Sequence, residues 1–595
     1  MTHPPSIYDY ITGEEANFSA DEIQVYDNYS WNLQNYVQMS LQLKHGVFTT
    51  GANNYLRPFK KVIEPILNLR YRAEDIELKD VVLYVENDNG RVLSFLIKKY
   101  HDEVYVKEHD LDSFFDEAGE ENINLGGVLV QKGQVPEVMP LQFLAFCDQT
   151  DILGGPLGFK YYFSPDKLRE KVKAGWGNIN NGATITIDEL IVLAELVKDV
   201  AGDAGNRTNR TPGKNIEVYI VRGSLPEHYL EDNDNMENYY NQLHIVAFYT
   251  DKENNRTGVT LYRKKEQSGT LKFFTSQKMR GRALGQGGAE SLFHEQIWTN
   301  FLEIHKTNLL ESASKVPLYT DDDAYSNRNR IIDMENLEIT TIAEGKFIRQ
   351  VPTAAPVNIQ LFERSISEWF SHAQILGSAG DPLLGVQPPS GTPFRLQERV
   401  VREGKGIHEY RRGKFAKFVE EIYRDWIIPD IRNKILKGKK FLATLDSEEM
   451  QWVSERLAEN QAIRIQAEQI LSGEDAQFES KETLVQKFKG EFIKKGNKQF
   501  LEILRDEFRD VEIKLSINIA GKQKDLADLT DKVTNIFKFI FANPQGFQQV
   551  MQIPGMSKAF SDILEFSGLN PVDFSSMPRL PVASAERSAK ETANV

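Results

Sequence analysis

Apolar residues recur along this chain in two rhythms, steps of three and four and steps of two, and the switches between them mark out its parts. In residues 1–75, Tyr26, Tyr29, Leu33, Tyr36 and Val37 fall at helical spacing. Residues 62–72 are apolar but interrupted by Pro65. Residues 80–85 read as a strand closing at Asn87-Asp88-Asn89-Gly90, a hairpin-type turn. A helix is predicted over 92–118, a short strand over 126–132 and another apolar segment over 140–147. From 155 to 280 the pattern is β-rich, with one helix at 186–201. Its strands are predicted at 216–222, 243–250, 259–265 and 270–276. The last two read as a hairpin across Gln267-Ser268-Gly269. This is an antiparallel α+β region.

The centre of the chain is helical. In 289–310, Phe293, Ile297, Phe301 and Ile304 form one stripe, and Trp298, Leu302, His305 and Leu309 form an adjacent one. In 356–376, Ile359, Phe362, Ile366, Trp369, Phe370, Ala373 and Leu376 keep helical spacing. Helices apolar on more than one face sit between neighbours, within a core or between subunits of a ring. Between them lies a polar, β-containing excursion with an acidic tip at Asp321, Asp322 and Asp323. After them comes a loop, 377–391, built of Gly377, Gly380, Asp381, Pro382, Leu383, Leu384, Gly385, Val386, Gln387 and more Pro, Ser and Gly. Unstructured loops this long are uncommon inside compact domains and are usually functional or disordered. Aromatic-rich helices bracket this one, which favours function. A long helix follows over 392–437. Gly404, Gly406 and Gly413 predict a kink in it, and Pro429 bends or ends it.

Further on, helices are predicted near 447–471 and 480–508, the first opened by a capping box of Asp446 and Glu449. A strand at 511–519, a helix at 526–541 and a disordered polar tail at 578–595 complete the pattern. No internal repeat is visible.

Composition changes this picture in three ways. A length of 595 residues predicts two to four domains, and 41% hydrophobic with 26% charged residues is ordinary soluble composition. The net charge of −15 argues against tight nucleic-acid binding, though not against a protein that lets DNA pass. Arg395, Arg399 and Arg402 belong to the most basic stretch, 395–417. It reads as a solvated face or intersubunit ion pairs, or as contacts to DNA phosphates. The single cysteine, Cys147, supports no disulfide or thiolate zinc site and reads as a small buried core residue. No secretory leader and no membrane span is predicted, which points to a reducing cytoplasm as the place of synthesis.

Candidate chemistry is sparse. No P-loop and no Gly-x-Ser-x-Gly elbow occurs. His294-Glu295 begins like a zinc-protease helix, but Trp298 stands where the second histidine belongs. His294 and His305 read as packing residues, and the aspartates at 321–323 as a solvated turn rather than a cation site. The expectation is a protein without catalytic residues, metal or cofactor, not an enzyme.

Several stretches together resemble a known family. They are Met279-Arg280-Gly281-Arg282-Ala283, residues 376–385, 389–394, 410–429 and 533–545, in the order helix, β excursion, helix, Gly/Pro loop, long helix. This is similar to the portal (head–tail connector) proteins of tailed bacteriophages, those of crAss-like phages in particular. The resemblance implies a mainly helical α+β fold with wing, stem, clip and crown regions, assembled as a ring of twelve. Residues 1–288 would be wing, 289–312 and 356–376 the stem helices, 313–355 the clip and 377–391 the tunnel loop. Residues 392–437 would be the long wing helix, 438–520 a further helical wing part and 521–577 the crown. Phe293, Trp298, Phe301, Phe362, Trp369 and Phe370 would pack stem helices between subunits. Implied partners are further copies of the chain, double-stranded DNA in the channel, the terminase, a head–tail adaptor and the major capsid protein. The implied location is the capsid portal vertex of the virion. The alternative is a helical scaffold or adaptor whose Gly/Pro loop docks a protein partner.

Overall fold

The computed structural model describes residues 5–46, 59–77, 81–84, 91–200, 215–231, 236–250, 255–314, 318–321, 345–350, 356–381, 383–384, 394–437, 447–472, 480–495, 514–517 and 538. The fold is mixed α+β. It divides into two compact units, one of residues 1–75 and 114–415, the other of 76–113 and 416–595.

The first unit is built on an antiparallel sheet of five strands: β1 (Leu144–Phe146), β2 (Leu157–Phe163), β3 (Ile216–Pro226), β4 (Tyr239–Thr250) and β5 (Arg256–Lys265). Each strand pairs with its predecessor. Alternation along the strands sends side chains to opposite faces. Tyr219, Val221, Val246 and Phe248 meet Ile7, Ile11 and Phe18 of helix Ile7–Ala20, and Leu33 and Val37 of helix Leu33–His45. Val218, Ile245, Ala247, Val259 and Leu261 meet Ile187, Leu190 and Ile191 of helix Ile187–Val200. The sheet is thus covered on both sides.

A smaller sheet places Val128–Lys132 between Leu271–Phe274 and Pro136–Val138. The hairpin predicted across 267–269 therefore does not form. Strand β5 is paired with β4 along its whole length, and Gly269, at φ +84, turns the chain toward apolar Val128–Val130 instead. Tyr26 and Tyr29 are not helical either. They flank the turn of a β-hairpin, Ile23–Tyr26 with Tyr29–Trp31, whose Asn28 takes the left-handed conformation that asparagine tolerates. Their three-residue step brings the two rings together across that turn, 4.8 Å apart and stacked. Pro65 does not interrupt its helix, Ile63–Glu74, because it lies in the first turn, where a missing N–H costs little.

In the second unit, Val81–Tyr84 pairs antiparallel with Lys514–Ile517, far along the chain. The turn predicted at 87–90 lies outside the described residues. The helix predicted as one piece over 92–118 is broken into Arg91–Tyr100, a wide π turn at His101–Tyr105, and Val106–His109, which Asp110 at φ +46 separates from a further helix, Leu111–Leu125. Helices Ser447–Ser472 and Lys481–Lys495 pack together, with Lys489 paired to Glu455 at 2.9 Å. Glu449 pairs with Lys99, and Asp446 lies outside the described residues. His101 Nε2 lies 2.9 Å from the Tyr423 hydroxyl, and burial pushes that phenol's pKa well up.

The predicted kink also moves. Residues 394–422 are regular α-helix through Gly404, Gly406 and Gly413. The irregularity is a π turn at Tyr423–Ile427, where Ile428 N–H bonds Tyr423 O, and Ile428–Lys437 follows. Pro429 explains the position. It cannot donate to the carbonyl four residues back and its ring crowds that carbonyl, so the helix widens just before it. Apart from Lys538, the segments read as crown and tail lie outside the described residues.

Candidate functional site: a helical hairpin and the root of its loop

The hairpin begins at a turn organised by one arginine. Arg282 is fully buried, and it donates to Leu284 O (3.0 Å), Gly285 O (2.9 Å), the Tyr29 hydroxyl (2.9 Å) and both Glu290 oxygens (2.8 and 2.6 Å). Its guanidinium also lies against the Trp31 and Tyr36 rings. At Gly287, just before the helices start, a Cβ would stand 2.3 Å from Asn124 O, so the backbone passes where no side chain fits.

Helices Phe293–Ser314 and Pro356–Leu376 run antiparallel, each roughly 30 Å long. Their direction follows from three pairs. His372 Nδ1 meets Glu295 Oε1 at 2.9 Å, Trp369 stacks on Trp298 with centroids 6.3 Å apart, and Glu363 pairs with Lys306 at 3.1 Å. At the far end Leu318–Thr320 and Ile348–Gln350 form a two-stranded ladder. Asp321 there accepts from Phe347 N–H and Lys346, while Asp322 and Asp323 lie outside the described residues.

Of the aromatic residues read as stem contacts, Phe293 and Phe370 pack against the core formed by Val62, Ile66, Leu67 and Ala373. Trp298 and Phe301 are 47% and 49% exposed, their rings edge to face, and Phe362 and Trp369 are half-buried. Leu361 and Ile375 are exposed on the second helix. The first helix carries one feature its apolar stripes do not announce, a buried polar face. Gln296 accepts from Val62 and Ile63 N–H (2.9 and 3.3 Å) and donates to Lys60 O (2.7 Å). It caps helix Ile63–Glu74, whose own N-cap residue makes no such bond. Asn300 accepts from Lys60 N–H at 3.2 Å. The sequence signal was the four-residue step from Gln296 to Asn300 beside the apolar stripe.

The loop's first residues fold back onto the core. Gly377 N–H continues the helix to Ala373 O (2.9 Å), and a Cβ at Gly377 would meet Ile66 Cγ2 at 2.3 Å. Ser378 takes φ +54, and Ala379 is 0% exposed in the same cluster that Leu384 packs against. Leu383 and Leu384 N–H both bond Gly380 O, and Leu383 lies over Gly404. Asp381, the loop's one charge, accepts from the Gln374 amide at 2.8 Å. Pro382, Gly385, Val386 and Gln387 lie outside the described residues. So do the side chains of Arg395, Arg399 and Arg402, which stand on helix Phe394–Ile422.

Beneath the root sits a buried ionic cluster that residue types alone did not reveal. Glu74 receives Arg70 (Nε 2.9 Å, Nη2 3.3 Å), His408 Nδ1 (2.9 Å) and Arg411 Nη1 (3.4 Å), and His408 Nε2 lies 3.2 Å from Ser378 O. Burial opposes ionisation of Glu74. Hydrogen bonds from His408 and Arg70, with the charges of Arg70 and Arg411, outweigh it and hold the carboxyl at about 2.

Elsewhere, Cys147 is partly buried, its thiol pKa pushed up by burial. His305 packs on Phe301 at 4.2 Å, and His294 on Phe293. Among the described residues no cluster of three or more His, Cys, Asp or Glu is arranged to hold a metal, and no helix is long and apolar enough to cross a membrane. No known family model matches the chain, and no curated protein matches it.

Proposed function

We propose that this chain is a portal subunit, a structural protein rather than an enzyme. Copies of it form a ring-shaped channel at one capsid vertex, through which double-stranded DNA is packaged and ejected. The observation that carries the reading is the hairpin. It is a pair of long antiparallel helices with Trp298 and Phe301 half exposed, and its second helix leads directly into the Gly/Pro loop. Large exposed aromatic surface on helices already packed on another side is what a neighbouring subunit covers. In this reading, stem helices of adjacent copies cover Trp298 and Phe301, and loop 377–391 faces the channel. The far end of the hairpin meets the terminase and then the adaptor, and the wing meets the major capsid protein.

The physics of passage supports the reading. DNA carries a charge about every 1.7 Å, and a basic lining would bind it tightly and stall it. A net charge of −15 and a loop with Asp381 as its one charge avoid that. The loops touch the duplex backbone and hinder slippage without gripping it. Electron microscopy and light scattering of the purified full-length chain test the reading. Rings with an axial hole are expected, and a monomer at high concentration overturns it. Deleting residues 383–386 is expected to impair DNA retention in assembled heads, and unchanged packaging and retention would exclude the role given to the loop.

A further inference from the structure

His408 stands between two oxygens that can only accept: Glu74 Oε1 at 2.9 Å from Nδ1 and Ser378 O at 3.2 Å from Nε2. The ring is 1% exposed, so bulk solvent does not reach it freely. Only the imidazolium has an N–H for each of them. A neutral ring has one, and the carboxylate, the stronger acceptor, keeps it. The Nε2 lone pair then points at the Ser378 carbonyl, two acceptors face to face.

The surrounding charges decide which contact gives way. From helix Ile63–Glu74, Arg70 bonds Glu74 without involving His408, and Arg411, one turn along His408's own helix, lies 3.4 Å from the same carboxylate. Arg412, on that same helix, is buried as well, and Asp381 in the loop is engaged by Gln374. Glu74 therefore remains neutralised when His408 loses its proton, and the core keeps its ion pairs. The Ser378 carbonyl loses its histidine donor. Ser378 holds a left-handed conformation in the helix's closing turn, where Ser378 N–H bonds Ile375 O (3.1 Å) and Ala379 N–H bonds Gln374 O (2.8 Å), and the histidine adds a contact to it that depends on a proton.

We propose that His408 is a proton-dependent clasp on the root of loop 377–391, holding Ser378 when charged and releasing it when neutral. Helix Ile63–Glu74, the long helix and the loop meet at this one ring. Glu74, Ser378 and His408 all belong to the first unit, so the clasp works whether or not the chain forms a ring.

Hydrogen–deuterium exchange of the full-length chain between about pH 5 and 10, corrected for the intrinsic pH dependence of amide exchange, reads the clasp. In the same samples, slow exchange at the imidazole C2–H reports the protonation of His408 itself. Peptides covering 377–384 are expected to open about tenfold more readily once His408 is neutral, with coincident midpoints. His408→Gln is expected to abolish the pH dependence of those peptides. Unchanged loop protection across the His408 titration overturns the proposal, as does a ring that never loses its proton in this range. A pH response that persists in His408→Gln overturns it too. If that variant fails to fold, agreement or disagreement of the two wild-type midpoints decides.

Discussion

Arg282 spends all five of its N–H groups inside the protein, on two carbonyls, one hydroxyl and both oxygens of Glu290. Such a side chain is costly to bury and costlier to remove, because its partners are left facing nothing. Arg282→Met is expected to destabilise the first unit by about 3–5 kcal/mol, read as an earlier urea transition. Arg282→Lys is not expected to restore it, since an ammonium cannot reproduce the planar fork. Glu121 has the opposite character. Burial raises its carboxyl from the ordinary 4.5 to about 7, although Leu141 N–H donates to it at 2.8 Å and favours the charged form. The folded state thus holds the Glu121 proton more tightly than the unfolded state does. The cost of ionising it grows as pH climbs from 4.5 and is complete above about 7. Glu121→Gln keeps the acceptor and removes the charge. It is expected to exceed the wild type by roughly 2–3 kcal/mol at pH 8 and to match it near pH 5, in parallel denaturant titrations.

Among elements, the first hairpin helix does two jobs with two faces. Its aromatic side meets the second helix, and its buried polar side orders the chain at Lys60–Ile63 through Gln296 and Asn300. Gln296→Ala is expected to cost about 1–2 kcal/mol by uncapping helix Ile63–Glu74. Amide exchange should quicken at residues 62–66 before anywhere else. This scale is also where sequence and structure part. The hairpin helices were legible because their apolar residues keep a 3.6-residue period for twenty residues or more. The strands of the five-stranded sheet were legible from β-branched and aromatic runs, Ile216–Val221 and Leu243–Phe248 among them. Pairings were not. Leu271–Phe274 looks like the partner of β5 because only a short segment containing Gln267-Ser268-Gly269 lies between them, but its partner, Val128–Lys132, lies some 140 residues earlier. Local pattern carries no information about so distant a partner. The kink failed for a related reason. Glycine is a weak local penalty that packing overrides, whereas Pro429 removes a donor outright and forces the helix to widen before it. Within the candidate site, the loop was legible from its composition. Its anchorage was not, because Glu74, Ser378 and His408 come together only in the fold.

For the whole molecule, the proposed ring makes the exposed aromatics of the hairpin its most testable surface. Trp298→Ser with Phe301→Ser is expected to leave the chain folded, since both rings are about half exposed, and to abolish the ring in light scattering and electron microscopy. Intact rings from that variant would take the hairpin out of the subunit interface. The ladder between Val81–Tyr84 and Lys514–Ile517 bears on a different matter, the order of events during synthesis. A ribosome adds on the order of 5–20 residues per second, so the early strand waits tens of seconds for its mate. Every residue of the first unit has been made by then. In the interval the early strand has an edge open to other chains on the same messenger. Polypeptides terminated before residue 514 keep that edge for good, and for this chain premature termination is a route to aggregation as well as to lost length.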